Sequence, residues 1–249
     1  MAKTAIVIGV GPDRGLGGQL SRRFAAEGLH VLVAGRTQAS LDTLVNAIQA
    51  DGGSAEAVVC DATSEADVIA LFDRAGEDLS VAIYNAGNNT PGKIIDMDAD
   101  YFEASWRVCC YGGFLFGREA VRRFLAGEVD GAADPNVSRG TLLFTGASAS
   151  LRGRANFGAF NSSKGALRNL AQAMAKEYGP DGIHVGHVVV DGPIGGDKIM
   201  QGFPQYALKL GDQGMIGIEG IVDGYVYLYK QPRNAWAFEL DVRTSVERW

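Results

Sequence analysis

Residues 4–29 read TAIVIGVGPDRGLGGQLSRRFAAEGL, and this stretch decides the fold of the chain. It opens with a run of apolar, partly β-branched residues, which favours a buried strand. Glycines follow, and after them apolar residues recur at the spacing of an amphipathic helix. A strand, a glycine-rich turn and a helix in that order predict the first unit of a parallel α/β sheet.

The same alternation continues along the chain. Short β-branched runs that end in glycine or aspartate are typical of buried strands. They are HVLVAG (30–35), AEAVVCD (55–61), VAIYNAG (81–87), GTLLFTG (140–146) and IHVGHVVVDG (183–192). Stretches with helical spacing lie between them, such as SLDTLVNAIQADGG at 40–53. The pattern predicts one doubly wound parallel sheet, with a polar surface connection at Gly127–Gly140.

Composition narrows the class of protein. The chain has 249 residues, of which 47% are hydrophobic, so one domain with a sizeable core is expected. The net charge is -6 and no long basic run occurs, which argues against a nucleic-acid partner. The N-terminal apolar run is too short for a signal peptide or a membrane span.

The cysteines and histidines bear on the cellular location and on metal binding. Three cysteines form no disulfide framework, so a reducing, cytoplasmic location is expected. The three histidines lack zinc-ligand spacing, and no metal site is expected.

The glycine-rich turn is a candidate phosphate site. Its backbone can approach a pyrophosphate closely, and the helix that follows supplies free N–H groups and a partial positive charge. A second strand ending about twenty residues later strengthens the prediction of a dinucleotide site. The first glycine of the motif is either Gly9 or Gly11, and both registers leave glycines at the helix start. The candidate residues are Gly9, Gly11, Arg14, Gly15, Leu16 and Gly17.

The end of the second strand bears on the choice of cofactor. A site for NAD carries Asp or Glu there to accept from the ribose 2′-hydroxyl, whereas this chain has Ala34 and Gly35, followed by Arg36. Arg36 together with Arg14 can pair with a 2′-phosphate. The sequence therefore favours NADP(H) over NAD.

Four motifs together carry a family resemblance: a near TGxxxGxG loop at 8–17, CDAT at 60–63, YNAG at 84–87 and SSKGAL at 162–167. With them the chain resembles the short-chain dehydrogenase/reductase family over nearly its whole length. The resemblance implies a single NAD(P)-binding Rossmann-fold domain over residues 1–249, with a seven-stranded sheet in the order 3-2-1-4-5-6-7 flanked by helices. It also implies a homodimer or homotetramer, assembled through helices at 99–126 and 157–178.

The resemblance assigns cofactor contacts residue by residue. Asp61, followed by Ala62, lies near the adenine, and the segment Asn85, Ala86 and Gly87 lines the cofactor channel. Lys164 holds the ribose.

The catalytic positions depart from the family, which uses Asn, Ser, Tyr and Lys. Cys109 stands at the asparagine, and Ala147 at the serine with Ser148 one residue along. Phe160 stands at the tyrosine that gives or takes the proton, and only Lys164 matches. The chain is therefore identified as a member of an atypical subgroup that lacks the catalytic tyrosine.

Two residues are candidates to replace the missing functions. Ser148 can polarise a substrate oxygen, or it caps a local turn. Asp191 is a candidate carboxylic acid if an apolar pocket raises its pKa, or it belongs to an Asp-Gly turn. His187 lies among valines, where a packed, hydrogen-bonded histidine is expected.

The segment at about 191–214 occupies the place of the family's mobile substrate lid. Its apolar residues predict a mainly apolar pocket wall and therefore an apolar small-molecule substrate. The predicted wall residues are Met200, Phe203, Tyr206 and Leu208. The expected function is NADP(H)-dependent oxidoreduction with proton delivery that does not use tyrosine. The alternatives are a catalytically silent NADP-binding protein with a regulatory role, and a lyase or isomerase that uses the same pocket.

Overall fold

The computed structural model describes residues 2–127 and 138–247. Seven parallel strands form one sheet in the order β3-β2-β1-β4-β5-β6-β7. The strands are β1 Thr4–Ile8, β2 His30–Gly35, β3 Ser54–Val59, β4 Leu79–Tyr84, β5 Gly140–Thr145, β6 Ile183–Asp191 and β7 Glu239–Arg243. The predicted doubly wound sheet and its strand order are confirmed. Most of the predicted connection at 127–140 lies outside the described residues.

Helices cover both faces of the sheet. They are α1 Leu16–Ala26, α2 Gln38–Ala50, α3 Glu65–Ala75, α4 Ala99–Trp106, α5 Gly112–Ala126, α6 Gly158–Tyr178, α7 Asp197–Met200, α8 Pro204–Leu210 and α9 Ile218–Tyr229. One apolar layer packs α1, α2 and α9 against the sheet, through residues such as Leu20, Leu44 and Ile221. The other packs α3, α5 and α6, through residues such as Leu71, Phe116 and Leu167.

The seventh strand is the least apolar one. β7 carries Glu239, Asp241 and Arg243, and most of its residues are only partly buried. It therefore lacks the β-branched run by which the other strands are visible in the sequence.

The strand order reverses between β1 and β4, which are neighbours in the sheet. The backbone N–H of Asn85, just after β4, donates to the carbonyl of Ile8 at 3.0 Å, and that of Gly9 donates to Ala34 at 3.1 Å. In sheets of this kind ligands bind in the crevice at the carboxyl ends of the strands where the order reverses. The fold thus brings the loops after β1, β2 and β4 to one place.

The predicted helix at 99–126 contains a wide turn. α4 and α5 are joined without a break by a π-helical segment, Arg107–Tyr111. The Tyr84 hydroxyl donates to the carbonyl of Val108 within this segment, and such an insertion is a recognised cause of a local change in helical pitch. Cys109 lies inside the wide turn and is fully buried.

None of the helices in residues 2–127 and 138–247 is long and apolar enough to cross a membrane.

Candidate cofactor and active site

The glycine loop packs directly against the segment after β4. Gly9 has a φ of +85°, and a side chain there would overlap with the backbone of Asn85 and Ala86. At Gly17 a Cβ would lie 2.9 Å from the carbonyl oxygen of Gly9. These two positions therefore require glycine to keep the loop and the helix start together.

The N terminus of α1 is open to an anion. Gly15 precedes the helix and provides no side-chain cap, and the first turn contains no acidic residue. The first N–H groups of the helix thus keep their hydrogen-bonding capacity and partial positive charge. A Cβ at Gly11 would meet no atom within 4 Å, so the space beside the loop is free. These features fit a dinucleotide pyrophosphate.

The glycine loop is held in place by Arg22 of α1. Arg22 donates to both carboxylate oxygens of Asp13 at 2.7 Å and to Asp51 at 2.9 Å. The hydrogen bond from Arg22 lowers the pKa of the Asp13 carboxyl. Arg14 follows on this anchored turn with its side chain exposed.

A corner beside the loop holds Arg36 and Asp61. A Cβ at Gly35 would lie 2.5 Å from the carbonyl oxygen of Val10, so a carboxylate side chain does not fit there without rearrangement. Arg36 is exposed immediately after it. A hydrogen bond from the Thr63 backbone lowers the pKa of Asp61, and the positive charge of Arg36 acts in the same direction. Arg36 and Asp61 are therefore near enough to interact.

A buried hydrogen-bond chain fixes the cofactor-channel segment. Asn85 donates through Nδ2 to the carbonyl of Gly9 at 3.1 Å, and its Oδ1 accepts from the Thr145 hydroxyl at 3.0 Å. Thr145 Oγ1 is 2.6 Å from the hydroxyl of Tyr225. Because Thr145 uses its proton on Asn85, Tyr225 is the donor in that last bond. Sequence reasoning missed Thr145 and Tyr225, which are 80 residues apart and meet only in the fold.

Lys164, Cys109 and Gly87 lie close together. The Lys164 side chain is 4% exposed, and its Nζ donates to the carbonyl of Thr145 at 2.7 Å. The same Nζ lies 3.3 Å from the position of a Cβ at Gly87, and Cys109 Sγ lies 3.6 Å from it. Burial lowers the pKa of Lys164. Its ammonium therefore sits beside the predicted cofactor channel.

Ser148, one residue after the predicted serine position Ala147, lies on a short turn after β5. Ser148–Ser150 forms a single turn of 3₁₀ helix, and Ser148 is partly exposed. Its hydroxyl makes no hydrogen bond to another residue of the described ranges, whereas Ser150 Oγ accepts from the N–H of Ala147 at 3.2 Å. Ser150, and not Ser148, thus closes the turn. Ser148 is left free to meet a ligand.

Asp191 is the last residue of β6, and it is ion-paired. Its side chain is nearly fully buried, with Arg152 Nη2 at 3.2 Å from both carboxylate oxygens and Arg243 Nη1 at 3.5 Å. This pocket is charged and not apolar. Asp191 is therefore held by ion pairs with two guanidinium groups.

The segment predicted as a lid lies over the glycine loop. The N–H of Asp197, at the start of α7, donates to the carbonyl of Arg14 at 2.9 Å. The predicted wall residues Met200, Phe203, Tyr206 and Leu208 are all exposed. Ile94 and Ile95, between β4 and α4, are exposed as well. The segment predicted as a lid therefore carries exposed apolar surface that a bound molecule can cover.

In the part of the chain that the structure describes, no group of three or more histidine, cysteine, aspartate or glutamate side chains is arranged to hold a metal ion. The cysteines are free, with Cys60 and Cys109 buried and Cys110 partly so.

Comparison with known proteins agrees with the fold. The chain is 34% identical to a short-chain dehydrogenase from Rhodopseudomonas palustris, with a TM-score of 0.78 over 97% of this chain and 98% of that one. A gluconate 5-dehydrogenase from Burkholderia cenocepacia J2315, in complex with NADP and tartrate, has a TM-score of 0.79 at 19% identity, over 97% of this chain and 93% of that one. At that identity the likeness shows the fold alone.

A curated relative has a similar sequence. An uncharacterized oxidoreductase, YuxG of Bacillus subtilis (strain 168), is 31% identical over 203 residues, which are 79% of this chain but 28% of the relative's length. The chain thus spans little more than a quarter of that protein.

The profile of the short chain dehydrogenase family matches residues 3–196, from the first strand through the beginning of the lid. This range contains the glycine loop, the segment after β4, the turn at Ser148 and Lys164. On this match, and on the sheet order and site geometry described above, the chain belongs to the short-chain dehydrogenase family.

Proposed function

We propose that this protein is an NADP(H)-dependent oxidoreductase of an atypical subgroup that lacks the catalytic tyrosine, and that it acts on an apolar small molecule. The family implies a nicotinamide cofactor. The observation that carries the proposal is the position of Lys164, whose buried ammonium lies beside Gly87 and 5.9 Å from the centroid of the Phe160 ring. The cofactor-facing group is retained, while the acid is absent.

The chain's own residues would orient the cofactor. When bound, the nicotinamide supplies or accepts a hydride. The open N terminus of α1 and the glycine loop would hold the pyrophosphate, and Asn85, fixed by Thr145, would line the channel. Lys164 uses one of its three protons on Thr145, so the others are available for a ribose hydroxyl.

Proton delivery limits the choice of substrate. Phe160 has no proton to give, and we assign no acid role to Asp191, whose carboxylate is ion-paired with Arg152 and Arg243. Ser148, with its free hydroxyl, would polarise a substrate oxygen. A positioned acid contributes about 10²–10⁴-fold to a rate. We therefore propose substrates that need no enzymic acid, such as a protonated cyclic imine or a conjugated alkene that takes its proton from water.

The preference for NADP(H) rests on Arg14 and Arg36. Both side chains are exposed, and the steric limit at Gly35 leaves no room for the carboxylate that an NAD site uses. Substituting either arginine by alanine should weaken NADPH binding about tenfold and leave NADH binding unchanged, as measured by fluorescence titration. Arg122→Ala, an exposed arginine on α5, is the control. Tighter binding of NADH than NADPH by the unmodified protein would contradict the proposal.

Turnover is tested by mixing the protein and NADPH with apolar ketones, enones and cyclic imines and following absorbance at the nicotinamide band. Oxidation of NADPH with imines or enones supports the proposal. Tight NADPH binding without turnover on any member of the panel would contradict it.

That second outcome would favour a catalytically silent NADP-binding protein. The presence of Phe160 at the position assigned to the acid, together with the full burial of Cys109, is the observation that supports this alternative. In it, cofactor occupancy would stabilise the protein without chemistry.

We further propose a cytoplasmic homo-oligomer. Phe102, Trp106, Phe114 and Leu125 expose apolar surface along α4 and α5, and the three free cysteines suit a reducing compartment. Light scattering after size exclusion tests assembly, and Trp106→Glu should shift the protein toward monomer.

A further inference from the structure

A buried chain of polar side chains runs beneath the turn that carries Ser148. His187 on β6 is fully buried and lies opposite Glu239 in the β6–β7 register. Its Nδ1 is 2.9 Å from Glu239 Oε2, and its Nε2 is 3.5 Å from Ser150 Oγ. Arg168 on α6 donates to both oxygens of Glu239, at 2.6 Å and 2.9 Å. Three elements are thereby linked to one turn.

The partners fix the direction of each hydrogen bond. Glu239 accepts, so Nδ1 of His187 carries the ring proton and Nε2 is left as an acceptor. Ser150 then donates its hydroxyl proton to His187 and accepts from the N–H of Ala147. Burial, aided by the positive charges of Lys164 and Arg168, lowers the pKa of His187 to about 4 despite Glu239. The imidazole is a weak base, which suits holding a hydroxyl better than removing its proton.

The imidazole also supports the backbone that leads into the turn. A Cβ at Gly146 would overlap with the His187 ring, so the ring lies directly against this glycine. The turn itself is closed by the N–H of Ser150, which donates to the carbonyl of Ala147 at 2.8 Å. A shift of His187 would therefore move both the entry to the turn and its last residue.

A second tie holds the far end of the turn. Arg152, two residues after Ser150, pairs with Asp191, which in turn contacts Arg243. Asp191 and Arg243 are register partners four residues beyond His187 and Glu239, on the same face of the strands. The segment 146–152 is therefore held at both ends by β6 and β7.

We propose that His187 and Glu239 are positioning residues that fix the turn Ala147–Ser150, through Ser150, so that the Ser148 hydroxyl is presented to the substrate. This inference rests on the proposed oxidoreductase function. Displacement of a substrate-orienting group by about 1 Å can cost 10²-fold in rate, so a contact behind the turn can control a group that faces the ligand.

Two substitutions at His187 separate its two contacts. In His187→Asn the amide nitrogen replaces Nδ1 and keeps the bond to Glu239, but nothing reaches Ser150. In His187→Gln the longer amide places an oxygen acceptor toward Ser150. We expect His187→Asn to lower kcat/KM about 10–100-fold without a change in NADPH affinity, and His187→Gln to restore it to within about threefold of the unmodified protein.

Ser150→Ala removes the hydrogen bond between Ser150 and His187 by deleting the serine hydroxyl. It should lower kcat/KM as much as His187→Asn does, and the double variant should be no worse than either single one, since both act through one bond. The matched control is His184→Asn, a buried histidine on the same strand that bonds to Ala237 and stacks on Trp236, away from the turn. Its kinetics should match those of the unmodified protein.

A readout independent of turnover is the ¹⁵N spectrum of His187. We expect a protonated Nδ1 and an unprotonated Nε2, with the Nε2 shift changed in Ser150→Ala. A proton on Nε2, or normal kcat/KM in both His187→Asn and Ser150→Ala, overturns the inference and leaves the proposed function standing. Absence of turnover in the unmodified protein overturns both.

Discussion

The ammonium of Lys164 lies 5.9 Å from the centroid of the Phe160 ring, one helical turn away on α6. Because a cation is attracted to the face of an aromatic ring, the pair is compatible, although no proton can pass between the two side chains. The candidate site thus holds a positive charge near Gly87. It presents an apolar ring at the position that we propose matches the family's tyrosine.

Restoring the phenol should restore acid catalysis. In Phe160→Tyr the hydroxyl is added beside Lys164, whose charge lowers the pKa of a nearby phenol. We expect NADPH-dependent reduction of ketones to rise about 10²–10⁴-fold. Phe157→Tyr is the control, since the Phe157 ring faces Arg154 at 5.5 Å. Equal ketone reduction by the parent and by Phe160→Tyr would argue that the pocket cannot bind carbonyls productively.

Removing the charge of Lys164 should lower the affinity for NADPH without lowering the stability of the protein. Lys164→Met keeps an unbranched side chain of similar length and removes a buried ammonium, whose desolvation is costly. We expect a melting temperature equal to or above that of the parent, with NADPH affinity reduced about tenfold. Lys176→Met, at an exposed position of the same helix, should change neither property. Undiminished NADPH affinity in Lys164→Met would show that Lys164 does not hold the cofactor.

A comparison of two glycines with similar backbone angles tests how much the close packing of the glycine loop against the segment after β4 contributes. Gly9 and Gly28 have φ values of +85° and +88°, but only at Gly9 would a Cβ overlap with backbone atoms. Alanine at either position carries a conformational cost of about 1–2 kcal/mol. We expect Gly9→Ala to cost about 2 kcal/mol more than Gly28→Ala in urea unfolding and to abolish NADPH binding. Equal costs would mean that the loop relaxes away from Asn85.

His187 should make stability depend on pH. Its pKa is lowered from 6.5 to about 4 in the folded state, so on acidification the unfolded chain takes up the proton first. The free energy of unfolding therefore falls as the pH drops from about 7 to 4, and the His187 contribution is constant below that range. Between pH 7 and pH 5 the loss is about 2 kcal/mol.

The comparison is made by urea unfolding at both pH values. His187→Asn should lose about 2 kcal/mol less on acidification than the parent. If the two proteins show the same difference between pH 7 and pH 5, His187 is not buried as a neutral imidazole.

Much of the fold was predictable because its signals are local. The runs of β1, β2 and β4 are β-branched and fully buried or nearly so, and the glycine loop follows β1 at once. β7 was the exception: its alternation of charged and apolar residues reflects a half-buried strand beside β6. The seventh strand was predicted from the family resemblance alone.

The contacts that position the site are not local. Thr145 meets Tyr225 across 80 residues, and His187 meets Glu239 across 52. No spacing rule connects such pairs, because their approach depends on strand register and on which helix covers which face. The sequence makes Asp191 a candidate site residue but gives no sign of the two arginines that pair with it.

The sequence by itself determined the alternation of strands and helices, the glycine loop with Arg14 and Arg36, and the presence of Lys164 without a tyrosine at Phe160. These depend on residue type and short-range spacing, which fix local backbone preference and local chemistry. The tertiary structure alone decided that Ser148 is free while Ser150 is bound, that Asp191 is ion-paired, and that His187 stands behind the turn. Those outcomes depend on which side chains distant strands bring within hydrogen-bond reach, and that is a property of the assembled sheet.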